Sequence, residues 1–284
     1  MPKVSIVIRS HNDVEFISDT LKELFAQDFQ DFEIISCDDA STDGTAEIIA
    51  SFSQVIRLER PEGRYVPGKT LNRAIPQCHG DIIVFNNADA VPCRSDYLSK
   101  LLEPMLSDAS VIAVFGNQLP RDDAQALVRK DSERAFGDGK ISANWRNFFS
   151  LASSAIRRQA LLDYPFDEGI QYSEDIEWTW RSRQRGERIV YCPEALVKHS
   201  HNYTIRQLWV RFFNEGRADG RIYGEIPPLL ACFRRFAMEC ARDAIYLLKH
   251  GAFNELLMSP IRRYIQVFAH RKGCKEYLET TEGA

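Results

Sequence analysis

No run of apolar residues in this chain approaches the ~20 that a membrane-spanning helix requires. The first apolar stretch, Val4 to Ile8, is also too short for the core of a signal peptide. The seven cysteines are odd in number and scattered, with no Cys-x-x-Cys pair and no Cys/His cluster at zinc spacing. That pattern argues against a disulfide framework and leads us to expect reduced thiols in a cytoplasmic protein. There is no Gly-x-Gly-x-x-Gly, so a dinucleotide-binding fold has no support. Internal repeats and low-complexity segments are missing too, which excludes solenoids and long flexible linkers. A net charge of −4 gives no reason to expect nucleic acid as a partner. What is present is 284 residues, 44% hydrophobic, enough for one large α/β domain with an appendage.

Short apolar runs alternate with helical patterns along the first half. Val4 to Ile8, Phe32 to Cys37, Val55 to Leu58, Asp81 to Phe85 and Val111 to Phe115 read as strands. Helical patterns follow Asn12 and Thr45, a short one runs from Gly68 to Ile75, and another spans Tyr97 to Leu106. Asn12 or Asp13 is expected to cap the first helix. The alternation predicts a parallel sheet with helices on both faces. After Asn117 the rhythm breaks: an exposed helix over Arg121 to Arg134, a polar loop from Phe136 to Asn147, and a strand over Phe148 to Ile156. Further on come a helix from Glu174 to Arg185, short strands at 189–192 and 195–198, and a helix from Thr204. Beyond about Pro227 long helical patterns take over. The expected division is a catalytic domain over 1–225 and a helical region over 226–284.

The polar residues that end these strands carry the chemistry. The buried run Asp81 to Phe85 stops in Asn86, Asn87 and Asp89, and open α/β sheets bind ligands just past such carboxyl ends. Asp89 either holds a hard cation such as Mg²⁺ or Mn²⁺ against a diphosphate or merely caps the strand. Asp38 and Asp39 end the second strand and either face the same crevice or cap the next helix. Glu174 and Asp175 open a helix, where acids stabilise the helix dipole; alternatively Asp175 is a general base for a hydroxyl. His199-Ser200-His201 is either a polar turn or a source of a phosphate contact or a metal ligand, one His joining Asp89 on a diphosphate-bridging Mg²⁺ or Mn²⁺.

The segment Gly63-Arg64-Tyr65-Val66-Pro67-Gly68-Lys69-Thr70 has the spacing of a P-loop. Its context is wrong, because the strand before it is short and charged at its end and the helix after it meets Pro76 within about two turns. Lys69 and Arg73 remain cations near the crevice.

Taken in order, these segments resemble family 2 glycosyltransferases. The resemblance rests on Val4 to Asn12, Glu33 to Thr45, Gly68 to Ile75, Asn87-Ala88-Asp89, Glu174 to Trp178 and His199 to His201, and covers about residues 3 to 220. It implies a GT-A fold, an α/β domain with a mostly parallel sheet, and a C-terminal helical appendage. It also implies inverting transfer of a hexosyl or deoxyhexosyl unit from a nucleotide-diphosphate sugar to a hydroxyl. The acceptor would be a glycan or lipid-linked molecule in bacterial surface-polysaccharide synthesis. By the same resemblance Arg9, Asn12, Asp38, Asp39, Lys69, Asn72, Asn87 and Ala88 meet the donor. Asp89, His199 and His201 bind a divalent cation, Mg²⁺ or Mn²⁺, and Asp175, beside Glu174, is the base. Asn87 stands where the family's metal motif carries its first Asp; it keeps an oxygen acceptor and loses a charge. The competing readings are a non-catalytic nucleotide-sugar binding or scaffold protein, supported by Asn87 alone, and a sugar-phosphate nucleotidyltransferase. The latter would need a glycine-rich loop near the N-terminus, and Arg9 to Asn12 contains no glycine.

From Leu229 to Ala284 there are nine Lys/Arg against six Asp/Glu, interleaved with Phe, Leu, Tyr and Ile. Such helices lie on an anionic membrane surface or pack as a bundle, on the catalytic domain or on a second subunit of a homo-oligomer. The first alternative would place the protein peripherally on the inner face of the cell membrane.

Overall fold

The computed structural model describes residues 2–282 and divides into two compact units. The first comprises residues up to Arg121, Arg134–Gly169 and Glu174–His199; the second comprises Asp122–Glu133, Ile170–Ser173 and the residues from Ser200 onward.

The first unit is built on one eight-stranded sheet. Its strands are β1 (Val4–Ser10), β2 (Phe32–Asp38), β3 (Val55–Arg57), β4 (Ile82–Asn87), β5 (Val91–Pro92), β6 (Val111–Leu119), β7 (Ser153–Arg157) and β8 (Arg188–Lys198). They lie in the order β3-β2-β1-β4-β7-β6-β8-β5. β3, β2, β1 and β4 are mutually parallel, as the alternation predicts, and β6 is parallel to β8. β7 enters between β4 and β6 antiparallel to both, so the sheet is mixed rather than wholly parallel. The segment read as two short strands near residue 190 is a single strand, β8, because a register shift at Gly116/Asn117 lets pairing with β6 resume beyond Pro193.

Successive residues of a strand point to opposite faces, and the apolar runs fill both. Ile6, Ile8, Ile34 and Val84 point to one side, where α1 (Ile17–Phe25) packs through Leu21 and Leu24 and α4 (Tyr97–Ser107) through Leu98, Leu101 and Met105. Val7, Ile35, Ile83 and Phe85 point to the other, beneath α3 (Pro67–Ala74), α6 (Arg158–Asp163) and α7 (Glu174–Gln184). Trp178 of α7 is fully buried there, and its indole N–H donates to the Tyr164 carbonyl at 2.9 Å. A short helix α2 (Thr45–Ser51) follows β2. Neither Asn12 nor Asp13 caps α1 with its side chain: the cap position is Phe16, and the Asp13 carbonyl takes the N–H groups of Phe16 and Ile17. Gly68 explains the false P-loop match. A Cβ there would lie 2.5 Å from the Asp167 carbonyl oxygen, so the glycine serves close packing of α3 rather than a phosphate.

The second unit contains α5 (Ala126–Ala135), α8 (Ile205–Tyr223), α9 (Leu229–Lys249) and α10 (Met258–Glu282). α8 starts in a capping box between Thr204 and Gln207. It crosses α10 at glycines: a Cβ on Gly216 would sit 2.0 Å from the His270 carbonyl oxygen, and one on Gly273 2.0 Å from that of Phe213. Asp243 of α9, fully buried, accepts from Lys130 of α5 and from Ser259 and Arg263 of α10, and Arg263 also forks onto Asp131. Burial works against the Asp243 carboxylate, but Arg263 and Lys130 outweigh it and hold the group below the usual carboxylate range.

Candidate active site

Parallel register sets the site. Pairing of β1 with β2 and β4 puts Ser10 opposite Asp38 and Arg9 opposite Asn87, at the carboxyl edge where the strands end in polar residues. The Arg9 guanidinium lies between two elements far apart in sequence. Its Nη1 is 2.6 Å from Glu174 Oε1 at the start of α7, and its Nη2 donates to Asn87 Oδ1 at 3.4 Å. Both members of the Arg9–Glu174 pair are largely buried. Arg9 therefore fastens the acidic end of α7 to the end of β4. With Oε1 committed to Arg9, Glu174 positions the site, and Asp175 is the carboxylate of the two that forms no ion pair with Arg9.

Asp175 Oδ1 accepts the N–H of Ile176 at 2.8 Å, and Oδ2 that of Leu151 at 3.4 Å. Burial and the neighbouring Glu174 carboxylate push it up to about 7, against those hydrogen bonds and Arg9. A carboxyl group poised there is suited to general-base work.

Just past β4, Asp89 is buried and faces His199, with Oδ1 3.4 Å from Nε2. His199 continues the β6–β8 ladder, its N–H donating to the Leu119 carbonyl, and its Nδ1 lies 2.7 Å from Gln118 Oε1. Because that oxygen only accepts, Nδ1 donates to it, and in the neutral ring the Nε2 lone pair lies on the Asp89 side. A carboxylate oxygen and an imidazole lone pair at this separation fit a divalent cation, whose adjacent ligands lie ~3 Å apart. A hydrogen-bond partner such as Gln118, which fixes the imidazole tautomer, is the usual support of such a ligand. Arg121 also reaches Asp89, donating to its carbonyl oxygen at 2.6 Å and lying 3.2 Å from Oδ2, while its guanidinium stacks on Phe16 at 3.6 Å. Asp13, on the neighbouring turn, is pushed up to about 6 by burial and by the carboxylates of Asp89 and Asp43. His201 belongs to the second unit, with its ring against Tyr203, and is two residues along the chain from His199.

The ends of β2 and β3 border an open, shallow cleft lined by Asp38, Asp39, Leu58, Arg60, Tyr65 and Arg73 among others. Asp39 pairs with Arg60. Asp38 is engaged by its own turn, accepting from Ser10 at 2.8 Å and from Ser41 at 2.5 and 2.9 Å. On α3 it is Thr70 and Arg73, one turn apart, that line the cleft; Lys69 is exposed. The Asn72 amide is taken up by the backbone of Phe166, at 2.9 and 3.0 Å, and tethers that segment. Asn12, at φ 57°, accepts the Thr42 N–H. The Ala88 methyl is in the core, while its carbonyl accepts from Thr20. Sequence reasoning missed Arg121, Gln118, Arg60 and Tyr65 as site residues. No motif marks them, since only the register of β6 and the return of the loop after β3 bring them here.

This arrangement joins a carboxylate–imidazole pair, an open cleft bordered by Asp39, Arg60 and Arg73, and a raised carboxyl group near the ends of one sheet. The glycosyl transferase family 2 profile matches residues 5–164, more than half of the chain, and the chain belongs to that family. Among known proteins it is similar to the O-antigen chain rhamnosyltransferase WbaN of Salmonella anatum, 32% identical over 200 residues, which are 66% of this chain and 62% of that protein. The O-antigen chain rhamnosyltransferase RfbN of Salmonella typhimurium is 27% identical over 225 residues, 75% of this chain and 71% of the relative. This chain thus spans less than two thirds of the length of WbaN. Among solved structures it resembles the mannosyltransferase PcManGT of Pyrobaculum calidifontis, determined with GDP-Man and Mn²⁺, with a TM-score of 0.65, 18% identity, and coverage of 99% of this chain and 88% of that one. Glucosyl-3-phosphoglycerate synthase of Mycobacterium tuberculosis, with Mn²⁺, UDP and phosphoglyceric acid, gives a TM-score of 0.55 at 22% identity, covering 73% of each chain. At these identities the likeness is one of fold, and the fold is GT-A.

Proposed function

We propose that the protein is an inverting glycosyltransferase that moves a deoxyhexosyl unit from a nucleotide-diphosphate sugar to a hydroxyl of a glycan or lipid-linked acceptor. It does so in cell-surface polysaccharide synthesis at the cytoplasmic side. The observation that carries this reading is the Arg9 bridge, which sets Asp175 beside the strand end that bears Asp89. The deoxyhexosyl assignment is supported by the relatives named as rhamnosyltransferases.

In this reading the cleft beside Asp39 and Tyr65 takes the nucleoside, and Arg73 faces the diphosphate. Asp89 and His199 hold a divalent cation. When bound, that cation neutralises charge that gathers on the departing diphosphate. The Asp175 carboxylate accepts the proton of the acceptor hydroxyl as its oxygen bonds to the anomeric carbon and the bond to the diphosphate breaks. One base acting on one face inverts the anomeric configuration. Glu174 and Arg9 hold Asp175 in place, and Gln118 holds His199.

Calorimetric titration with UDP, GDP and dTDP, each with Mn²⁺, with Mg²⁺ and with EDTA, tests the donor site. One nucleotide is expected to bind in a metal-dependent way that Asp89→Ala abolishes. A folded protein that binds none of the three would overturn the reading.

A further inference from the structure

α9 is a helix of 21 residues whose outward face stays largely uncovered. Leu230, Arg234, Ala237, Ala241, Ile245 and Leu248 follow one another at three- and four-residue steps and form a single stripe. All six are exposed, Leu230 at 82%, Ile245 at 69% and Leu248 at 57%. Isolated exposed leucines are ordinary, but Leu230, Ile245 and Leu248 exposed along one line of a helix, with two alanines between them, are not.

Charge is sorted across the same helix. Arg235, Arg242 and Lys249 recur every seven residues and form a row along one flank of the stripe. Of the two acids of α9, Asp243 is buried against Arg263, and Glu239, largely buried, lies 3.6 Å from Lys130 and accepts from Arg242 at 2.6 Å. The stripe itself and Arg234, Arg235 and Lys249 beside it carry no carboxylate. Among the described residues, Arg234, Arg235 and Lys249 form no ion pair.

α10 extends the surface. Leu257, one residue ahead of it, and Ile261 and Tyr264 on it follow at helical spacing and are exposed. Tyr264 stacks on Phe268 at 4.7 Å, and Phe268 meets Phe233 of α9 at 5.2 Å, so the two apolar stripes join through these rings.

The geometry points to an anionic lipid bilayer as the occupant of this face, and we propose that α9 lies in the plane of the headgroups. The leucines and isoleucine of its stripe would enter the acyl boundary while Arg234, Arg235 and Lys249 meet lipid phosphates. A second copy of the chain fits poorly, because a twofold contact would set this patch against itself and oppose cations with no acid to pair them. No helix among the described residues is long and apolar enough to cross a membrane. The contact is therefore one of surface adsorption. It is independent of sugar transfer, and either reading can fail while the other stands.

Flotation of the full chain on vesicles of phosphatidylcholine, alone or mixed equally with phosphatidylglycerol, tests the proposal. The protein is expected to float with the mixed vesicles only, and less so as salt is raised. Arg234→Gln/Arg235→Gln/Lys249→Gln should weaken partitioning about 100-fold, since each cation near an anionic surface contributes about fivefold. Ile245→Ser/Leu248→Ser should lower it by more than about tenfold at unchanged charge. All five side chains are exposed, so thermal unfolding and nucleotide binding should match wild type and separate lost adsorption from lost folding. Failure to float with phosphatidylglycerol would overturn the proposal, as would equal flotation on both vesicle types or flotation unaltered by both sets of changes. A dimer seen by light scattering that Ile245→Ser/Leu248→Ser dissociates would reassign the face to a second copy and overturn it as well.

Discussion

Replacing Asp175 by asparagine should stabilise the fold at alkaline pH while removing the base. The carboxyl group titrates at about 7 in the folded protein against an ordinary 3.8, because burial and Glu174 disfavour its charge. A folded-state value raised in this way means that the unfolded chain loses the proton first. The resulting penalty is absent below about pH 4, grows as pH rises, and is complete above about pH 7. Its full size is roughly 4 kcal/mol, before relaxation around the site reduces it. The asparagine amide can accept only one of the two backbone N–H groups that Asp175 now accepts, from Ile176 and Leu151. Leaving the other unmatched costs about 1–3 kcal/mol at every pH. The net expectation is a gain of about 1–3 kcal/mol near pH 8 and a loss of similar size near pH 4. Urea unfolding followed by tryptophan fluorescence measures it, with Trp178 buried on the same helix as a reporter. If the variant gains no stability at pH 8 relative to pH 4, the carboxyl group is not held in an unfavourable charged state and the case for a tuned base collapses.

The remaining predictions concern the rest of the site and the helices. The acid limb of the kcat/KM profile should rise through about pH 7 as Asp175 loses its proton, and Arg9→Gln should move that limb upward by withdrawing a nearby positive charge. Manganese affinity, read by electron paramagnetic resonance, should fall about 10–100-fold in Gln118→Leu, which frees the His199 tautomer, and at least as far in His199→Ala. Asp243→Ala should cost about 3–5 kcal/mol, because it strands Lys130 and Arg263 in the interior; helical content lost at lower urea than in wild type would register it.

Much of the catalytic unit can be read from residue patterns. Runs such as Val4 to Ile8 and Ile82 to Phe85 are buried on both faces, and that double burial leaves an unbroken apolar signature. β7 was harder to place. Ser153-Ser154-Ala155-Ile156-Arg157 has little periodicity, and its antiparallel entry between β4 and β6 is decided by the path of the chain after β6. The acidic and histidine members of the site were legible because each follows a strand end or opens a helix. Their partners were not: Arg121 stood at the head of a predicted exposed helix, yet it packs on Phe16 and Asp89. On α3 the sequence pointed to Lys69 and Asn72, whereas helical phase turns Thr70 and Arg73 toward the cleft and leaves the Asn72 amide to Phe166. Side-chain phase on a helix of eight residues depends on where the first turn starts, and Gly68 fixes that by its contact with Asp167.

The central claim is that Asp175 takes the acceptor proton while Asp89 and His199 serve the donor. The measurement that tests it most directly is donor affinity and single-turnover sugar transfer, taken together in Asp175→Asn with a polyprenyl-linked oligosaccharide as acceptor. The account predicts nucleotide binding close to that of wild type and transfer slowed about 10²–10⁴-fold, the range of a lost general base. Transfer at near wild-type rate, with binding intact, would contradict it.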